Sequence, residues 1–102
     1  MVVEFLTFSV PPESRDEWLR VEEHHWTRFL ERQPGFVRKE VWCCLDDVHR
    51  VQAVIWWESM EAWKSIPQHE LDEVARAMGP FERIASCTAF ERVRITEHDR
   101  SD

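Results

Sequence analysis

The 102-residue sequence predicts an α+β domain with the element order β-α-β-β-α-β, a four-stranded antiparallel sheet carrying two main helices on one face. Three observations predict it. Apolar residues alternate with period two in four stretches, at 2–10, 36–44, 49–57 and 81–95. Between the first and second stretches, and again between the third and fourth, the apolar spacing becomes helical. The punctuation of Pro11-Pro12, Pro34-Gly35, Asp46-Asp47 and Gly79-Pro80 falls at the junctions.

In the first strand Leu6, Phe8 and Val10 point one way and Phe5, Thr7 and Ser9 the other. Pro11-Pro12 ends it, because neither residue donates to a ladder. Ser14-Arg15-Asp16-Glu17 fits a capping box, so a helix is expected to start there and run to about Gln33, stopping at Pro34-Gly35. Phe36 to Cys44 and His49 to Trp57 read as a hairpin turned at Asp46-Asp47. Ser59 can cap a short helix with Met60 and Trp63. Pro67 suits the first turn of the next, where Leu71, Val74, Ala75 and Met78 fall at i, i+3, i+4 and i+7. Gly79-Pro80 stops it, and Phe81 to Ile95 reads as the last strand. Residues 1–95 thus form one ferredoxin-like domain, and 96–102 a polar tail.

Both sheet faces carry apolar residues. Val51, Ala53, Ile55 and Trp57 line one, while Val54 and Trp56 sit on the other, with Trp42. Helices can cover only one face. The expected cover for the second is another copy of the same sheet, giving a twofold homodimer with Trp42 and Trp56 at its contact.

Composition narrows the function classes. Six Trp and six Phe, with no Tyr, demand that large flat apolar surfaces be hidden in a core, an interface or a pocket. Thirteen Lys+Arg against 20 Asp+Glu leave a formal charge of −7. With no basic cluster, nucleic acid and anionic membrane surfaces are poor partners. No apolar run reaches the roughly 18–20 residues of a membrane span, and no signal peptide is expected. Cys43, Cys44 and Cys87 are not a disulfide framework, which suits a reducing, cytoplasmic setting.

One carboxylate stands out. At about 100° per residue, Trp18, Leu19, Trp26, Phe29 and Gln33 share a stripe with Glu22 near its middle, while Arg20, His24, Thr27 and Glu31 face away. An acid in an apolar stripe is either a general base made by burial or half of a structural pair with an Arg or an indole N–H. His25 stands three residues beyond it at the stripe edge, but a single Glu-x-x-His without flanking ligands predicts no metal site. Trp18, His25, Trp26, Phe29 and Trp57 can wall a pocket around Glu22, or the aromatics among them simply fill the core.

Three segments carry a resemblance. Gln33-Pro34-Gly35-Phe36, the run Trp57-Glu58-Ser59-Met60-Glu61-Ala62-Trp63, and the helix end at Gly79-Pro80 resemble the dimeric α+β barrel superfamily, which includes antibiotic-biosynthesis-monooxygenase-like domains. Val10-Pro11-Pro12-Glu13, Trp26-Thr27, Lys39-Glu40-Val41-Trp42 and Trp63-Lys64-Ser65-Ile66-Pro67 are similar to a small family of short, largely cyanobacterial proteins. The resemblance implies the dimeric barrel fold and a site between helices and sheet. It also implies chemistry like that of cofactor-independent monooxygenases, so no cofactor is expected. Trp57 resembles the strand tryptophan that haem-degrading relatives use to distort haem. Those relatives also need an Asn on the first strand and a His late in the second main helix. This chain has no Asn, and His69 comes too early and faces out. The leading expectation is a pocket that binds or oxidises a small, flat, apolar molecule, with Glu22 as acid/base or orienting group. The other is a non-catalytic dimeric binding or interaction module with structural aromatics.

Overall fold

The strands form where the alternation is strongest. The computed structural model describes residues 1–98 and has β1 (Val2–Ser9), β2 (Phe36–Cys43), β3 (Arg50–Trp57) and β4 (Ser86–Glu91). They make one sheet in the order β2-β3-β1-β4, with every neighbouring pair antiparallel. Directly opposed residues share a face. Glu4 opposes Ile55 and Ala89, and Leu6 opposes Ala53 and Cys87. On β2 a register shift between Phe36 and Arg38 resets the phase, so that Lys39, Val41 and Cys43 oppose Ile55, Ala53 and Val51.

Helices cover that inner face. The first runs as α1 (Arg15–Glu22), a π-helical turn (Glu23–Thr27) and α2 (Arg28–Leu30). After the hairpin come α3 (Met60–Lys64) and α4 (Gln68–Met78). Two clusters anchor the layers. Trp18 packs with Val10 and Val51, and Leu30 packs with Ile55 and Trp57. The ferredoxin-like α+β architecture is thus the one the order of elements predicts.

Several local expectations change. Ser14 makes no capping bond; its hydroxyl donates to the Pro11 carbonyl oxygen at 3.3 Å, because a 3-10 turn (Pro12–Ser14) precedes the helix. The helix ends at Leu30, with turns bridging 31–35. The last strand is shorter than expected, because β1 offers it partners only from Val2 to Thr7. Gly79–Phe81 instead forms a 3-10 turn. Ser59 does cap α3, its hydroxyl accepting the Ala62 N–H at 3.0 Å. Of the expected tail, residues 99–102 lie outside the described residues.

The two sequence motifs meet in space. Gly35 has φ +83°, and a Cβ there would stand 2.4 Å from the Cβ of Ala62. The Glu58 N–H donates to the Gly35 carbonyl at 2.8 Å. The turn before β2 and the β3–α3 junction therefore pack directly on each other, which only glycine at position 35 allows.

Among the described residues no helix covers the other face of the sheet. Phe5 contacts Trp42 and Phe90 edge-on, at centroid distances of 6.0 and 5.8 Å. Trp42 is 43% exposed and Phe90 52%. The Arg38 guanidinium lies 4.7 Å over the Trp56 ring.

Candidate active site

Between the helices and the inner face lies a cavity of about 360 Å³. Apolar walls come from Leu6 and Phe8 on β1, Ala53 and Ile55 on β3, Trp26 and Leu30 on the first helix, and Trp63 on α3. Ionisable groups from separate elements reach it: Glu4 from β1, Glu22 from α1, Lys39 from β2, Lys64 from α3, and Glu82 and Arg83 from the segment before β4. An apolar hollow with few polar groups converging on it is what small-molecule sites look like.

Glu22 is 3% exposed and forms an ion pair with Lys39, whose side chain is equally buried. The Lys39 ammonium also donates to the Thr27 hydroxyl at 2.7 Å. The partner is therefore a lysine on the facing strand, not the arginine or indole expected. Thr27 was expected to face away. The π-turn underwinds the helix, so residues five apart, Glu22 and Thr27, converge on one ammonium. The pair separates the main cavity from a more open hollow of about 310 Å³, bounded by Leu19, Glu23 and Val41.

Glu4 is the second carboxylate. It accepts a hydrogen bond from the Trp57 indole N–H at 3.0 Å. Burial pushes its pKa above the ordinary carboxylate value, and the Trp57 bond and the charges of Lys64 and Lys39 oppose that rise without cancelling it. The Cys87 thiol is also pushed up, by burial first and then by the Glu4 charge.

The expected pocket residues scatter. Glu22 and Trp26 line the cavity. Trp57 is fully buried in the core and reaches the site only through its bond to Glu4. Trp18 lies instead in the Val10–Val51 cluster, its indole N–H donating to the Phe81 carbonyl at 2.9 Å. His25 and Phe29 border a separate cleft against Glu73, Val74 and Ala77 of α4, because the π-turn rotates this part of the helix. Trp42 and Trp56 belong to the opposite face of the sheet. Among the described residues no three His, Cys, Asp or Glu side chains cluster to hold a metal ion, and no helix is long and apolar enough to cross a membrane.

Sequence reasoning passed over Glu4, Lys39 and Trp63. The signal for Glu4 was present: extending the Leu6, Phe8, Val10 phase back by two residues puts an acid on the inner face. Lys39 was also within reach, because the outward placement of Trp42 puts the residue three positions earlier on the inner face, where Lys39 opposes Ile55.

A ferredoxin-like antiparallel sheet roofed by helices over a partly charged cavity defines a class of small α+β proteins. The chain belongs to the antibiotic biosynthesis monooxygenase family, whose sequence profile matches residues 1–78. No functionally curated protein matches the sequence. Among solved structures it is similar to SnoaB, a cofactor-independent oxygenase from Streptomyces nogalater. That likeness has 20% identity and a TM-score of 0.72 over 95% of this chain and 97% of that one. A monooxygenase from the ActVA-Orf6 gene of Streptomyces coelicolor, in complex with nanaomycin D, gives 18% identity and a TM-score of 0.72 over 95% and 92%. The haem-degrader MhuD of Mycobacterium tuberculosis, with two haems bound in its active site, gives 26% and 0.71 over 95% and 100%.

Proposed function

We propose that this protein binds a small, flat, largely apolar molecule in the cavity beneath the first helix and oxidises it with dioxygen, with no resident cofactor. The carrying observation is the cavity itself, where two carboxylates and the Lys39 ammonium stand among apolar walls. The named oxygenases of the same fold support it. Conversion of a substrate CH₂ to C=O with release of water uses both atoms of dioxygen and requires no outside reductant. Glu22, engaged by Lys39, serves as the orienting group: it fixes an ammonium at the cavity wall, where negative charge developing on a substrate oxygen is stabilised. Trp26 and Trp63 provide flat surfaces for the ring system.

The working unit in this reading is a homodimer in which a second copy covers Phe5, Trp42, Trp56 and Phe90. The exposed aromatics on a face no helix covers support it. Three free cysteines support a reducing, cytoplasmic location.

One observation favours the second reading, a non-catalytic dimeric binding module: the Glu22–Lys39 pair satisfies both charges internally. A panel of quinones and polyphenols separates the two, followed by quenching of tryptophan emission and by oxygen uptake. The oxygenase reading expects quenching by some members and oxygen consumption that Glu22→Gln abolishes. A flat binding profile across the whole panel sinks it, and binding without oxygen uptake selects the module.

A further inference from the structure

We propose that Glu4 is the group that takes a proton from the bound ligand, and that Trp57 positions it for that transfer. This rests on the cavity being a ligand site, and it divides the labour between its two acids. Glu22 is committed to Lys39, which is committed in turn to Glu22 and Thr27. Glu4 has no cation within hydrogen-bonding distance among the described residues. Its Oε1 receives the Trp57 indole, and its Oε2 makes no hydrogen bond among the described residues. One oxygen is thus anchored while the other stays available on the cavity wall.

The surroundings suit a proton acceptor. The floor beneath Glu4 is a fully buried tryptophan, so the carboxylate is fixed on a rigid strand rather than on a loop. Lys39 on β2 and Lys64 on α3 are the cations that act on it, Cys87 on β4 is its neighbouring thiol, and Glu22, Glu82 and Arg83 share the cavity. Burial raises the carboxyl above its ordinary value, which moves it toward the range where a carboxylate is an effective base.

The ligand implied is one that presents an O–H, or an equally acidic C–H, at the β1 end of the cavity. In the transfer the ligand O–H bond breaks, its electron pair stays on the ligand oxygen, and a new O–H bond forms on Glu4. The charge moves from Glu4 to the ligand within reach of the two lysines. No oxidant takes part in this step, which precedes any reaction with dioxygen.

2-Naphthol tests this directly, because its excited state is a strong acid and its neutral and anionic forms emit at different wavelengths. Bound to the intact protein and excited beyond the tryptophan band, it is expected to emit as naphtholate. Glu4→Gln keeps an acceptor for Trp57, so it is expected to fold and bind while naphtholate emission falls at least roughly tenfold. Glu40→Gln, on the outer face, is the control and leaves it unchanged. Unchanged naphtholate emission from Glu4→Gln overturns the proposal. Failure of 2-naphthol to bind at all overturns the ligand-site reading beneath it. Carbon-13 titration of the Glu4 carboxyl needs no ligand. Trp57→Phe keeps an aromatic ring but removes the indole bond, which favours the charged form, and so is expected to move that titration upward. A Glu4 carboxyl that titrates at the ordinary carboxylate value, or that ignores Trp57→Phe, refutes the assignment.

Discussion

The two faces of this sheet invert the usual rule. The inner face, roofed by helices, holds Glu4 and Lys39, while the outer face presents Trp42 and Phe90 toward solvent beside a half-buried Trp56. The same strands supply both, since adjacent residues point to opposite sides. Arg38, Lys39 and Glu40 show it in three consecutive positions. Lys39 is sealed against Glu22, whereas Arg38 and Glu40 pair in the open beside Trp56 and Trp42. Charge turned inward is costly unless it serves a site or is matched, and aromatic surface turned outward is costly unless something covers it.

Breaking the inner pair has the largest expected effect. Lys39→Met leaves the Glu22 carboxylate buried without its partner, and loss of about 3–5 kcal/mol is expected in urea denaturation. The double substitution Glu22→Leu with Lys39→Met is expected to recover most of it, since an apolar pair of similar volume is often neutral. If Lys39→Met alone costs no more than a surface substitution, the burial of the pair is not what it is described to be.

The outer face is next. Trp42→Glu places a charge within the exposed aromatic cluster and is expected to convert the proposed dimer to a monomer in analytical ultracentrifugation. An aromatic hot spot is worth about 2 kcal/mol or more of association, roughly a thirtyfold loss of affinity. The monomer keeps its helical circular dichroism, because Trp42 belongs to neither inner cluster. A wild-type protein that sediments as a monomer removes the partner from the account of this face.

How much of this asymmetry the sequence carried depends on phase. Strand alternation in β3 separates Val51, Ala53, Ile55 and Trp57 from Val54 and Trp56 without error, because β3 is central and regular. The helix stripe puts both Glu22 and Trp26 on the side that faces the cavity, where they lie. It misplaces Thr27, which reaches Lys39, and His25, which borders the α4 cleft, because a π-turn changes the angle per residue and leaves no compositional mark. Gly35 was legible as a helix stop, but its closeness to Ala62 was not, because contact between two motifs more than twenty residues apart is a property of the packed chain.

Glu4 gives a smaller, pH-dependent effect on the inner face. Its folded pKa lies above the unfolded one, so the native state binds the proton more tightly and ∂ΔG/∂pH of unfolding is negative between the two values. Stability from this group is therefore greatest at low pH and declines as pH rises from the ordinary carboxylate value of 4.5 through the raised one. Glu4→Gln is expected to remove that decline, flattening the urea midpoint across the window and leaving the variant at least as stable as wild type at neutral pH. A midpoint profile parallel to wild type contradicts the burial argument.

The smallest effect belongs to the outer charges, and it tests whether the two faces differ in kind. Arg38 hydrogen-bonds Glu40 and, with Trp42, holds the Glu40 carboxyl below its ordinary value. Water screens the pair, so its net contribution to an isolated chain is slight and falls with added salt. In a monomeric Trp42→Glu background, Arg38→Gln is expected to leave the urea midpoint within the scatter of surface substitutions. In the proposed dimer the same substitution removes a guanidinium stacked on Trp56 at what would be a covered surface, where cation–π contact strengthens as water is excluded. The midpoint should then drop, and by more at low protein concentration, because unfolding is linked to dissociation. Equal effects in both backgrounds place Trp56 outside the contact. An effect in the monomer as large as that of Lys39→Met erases the distinction between the faces, since adjacent residues of one strand would then be equally buried.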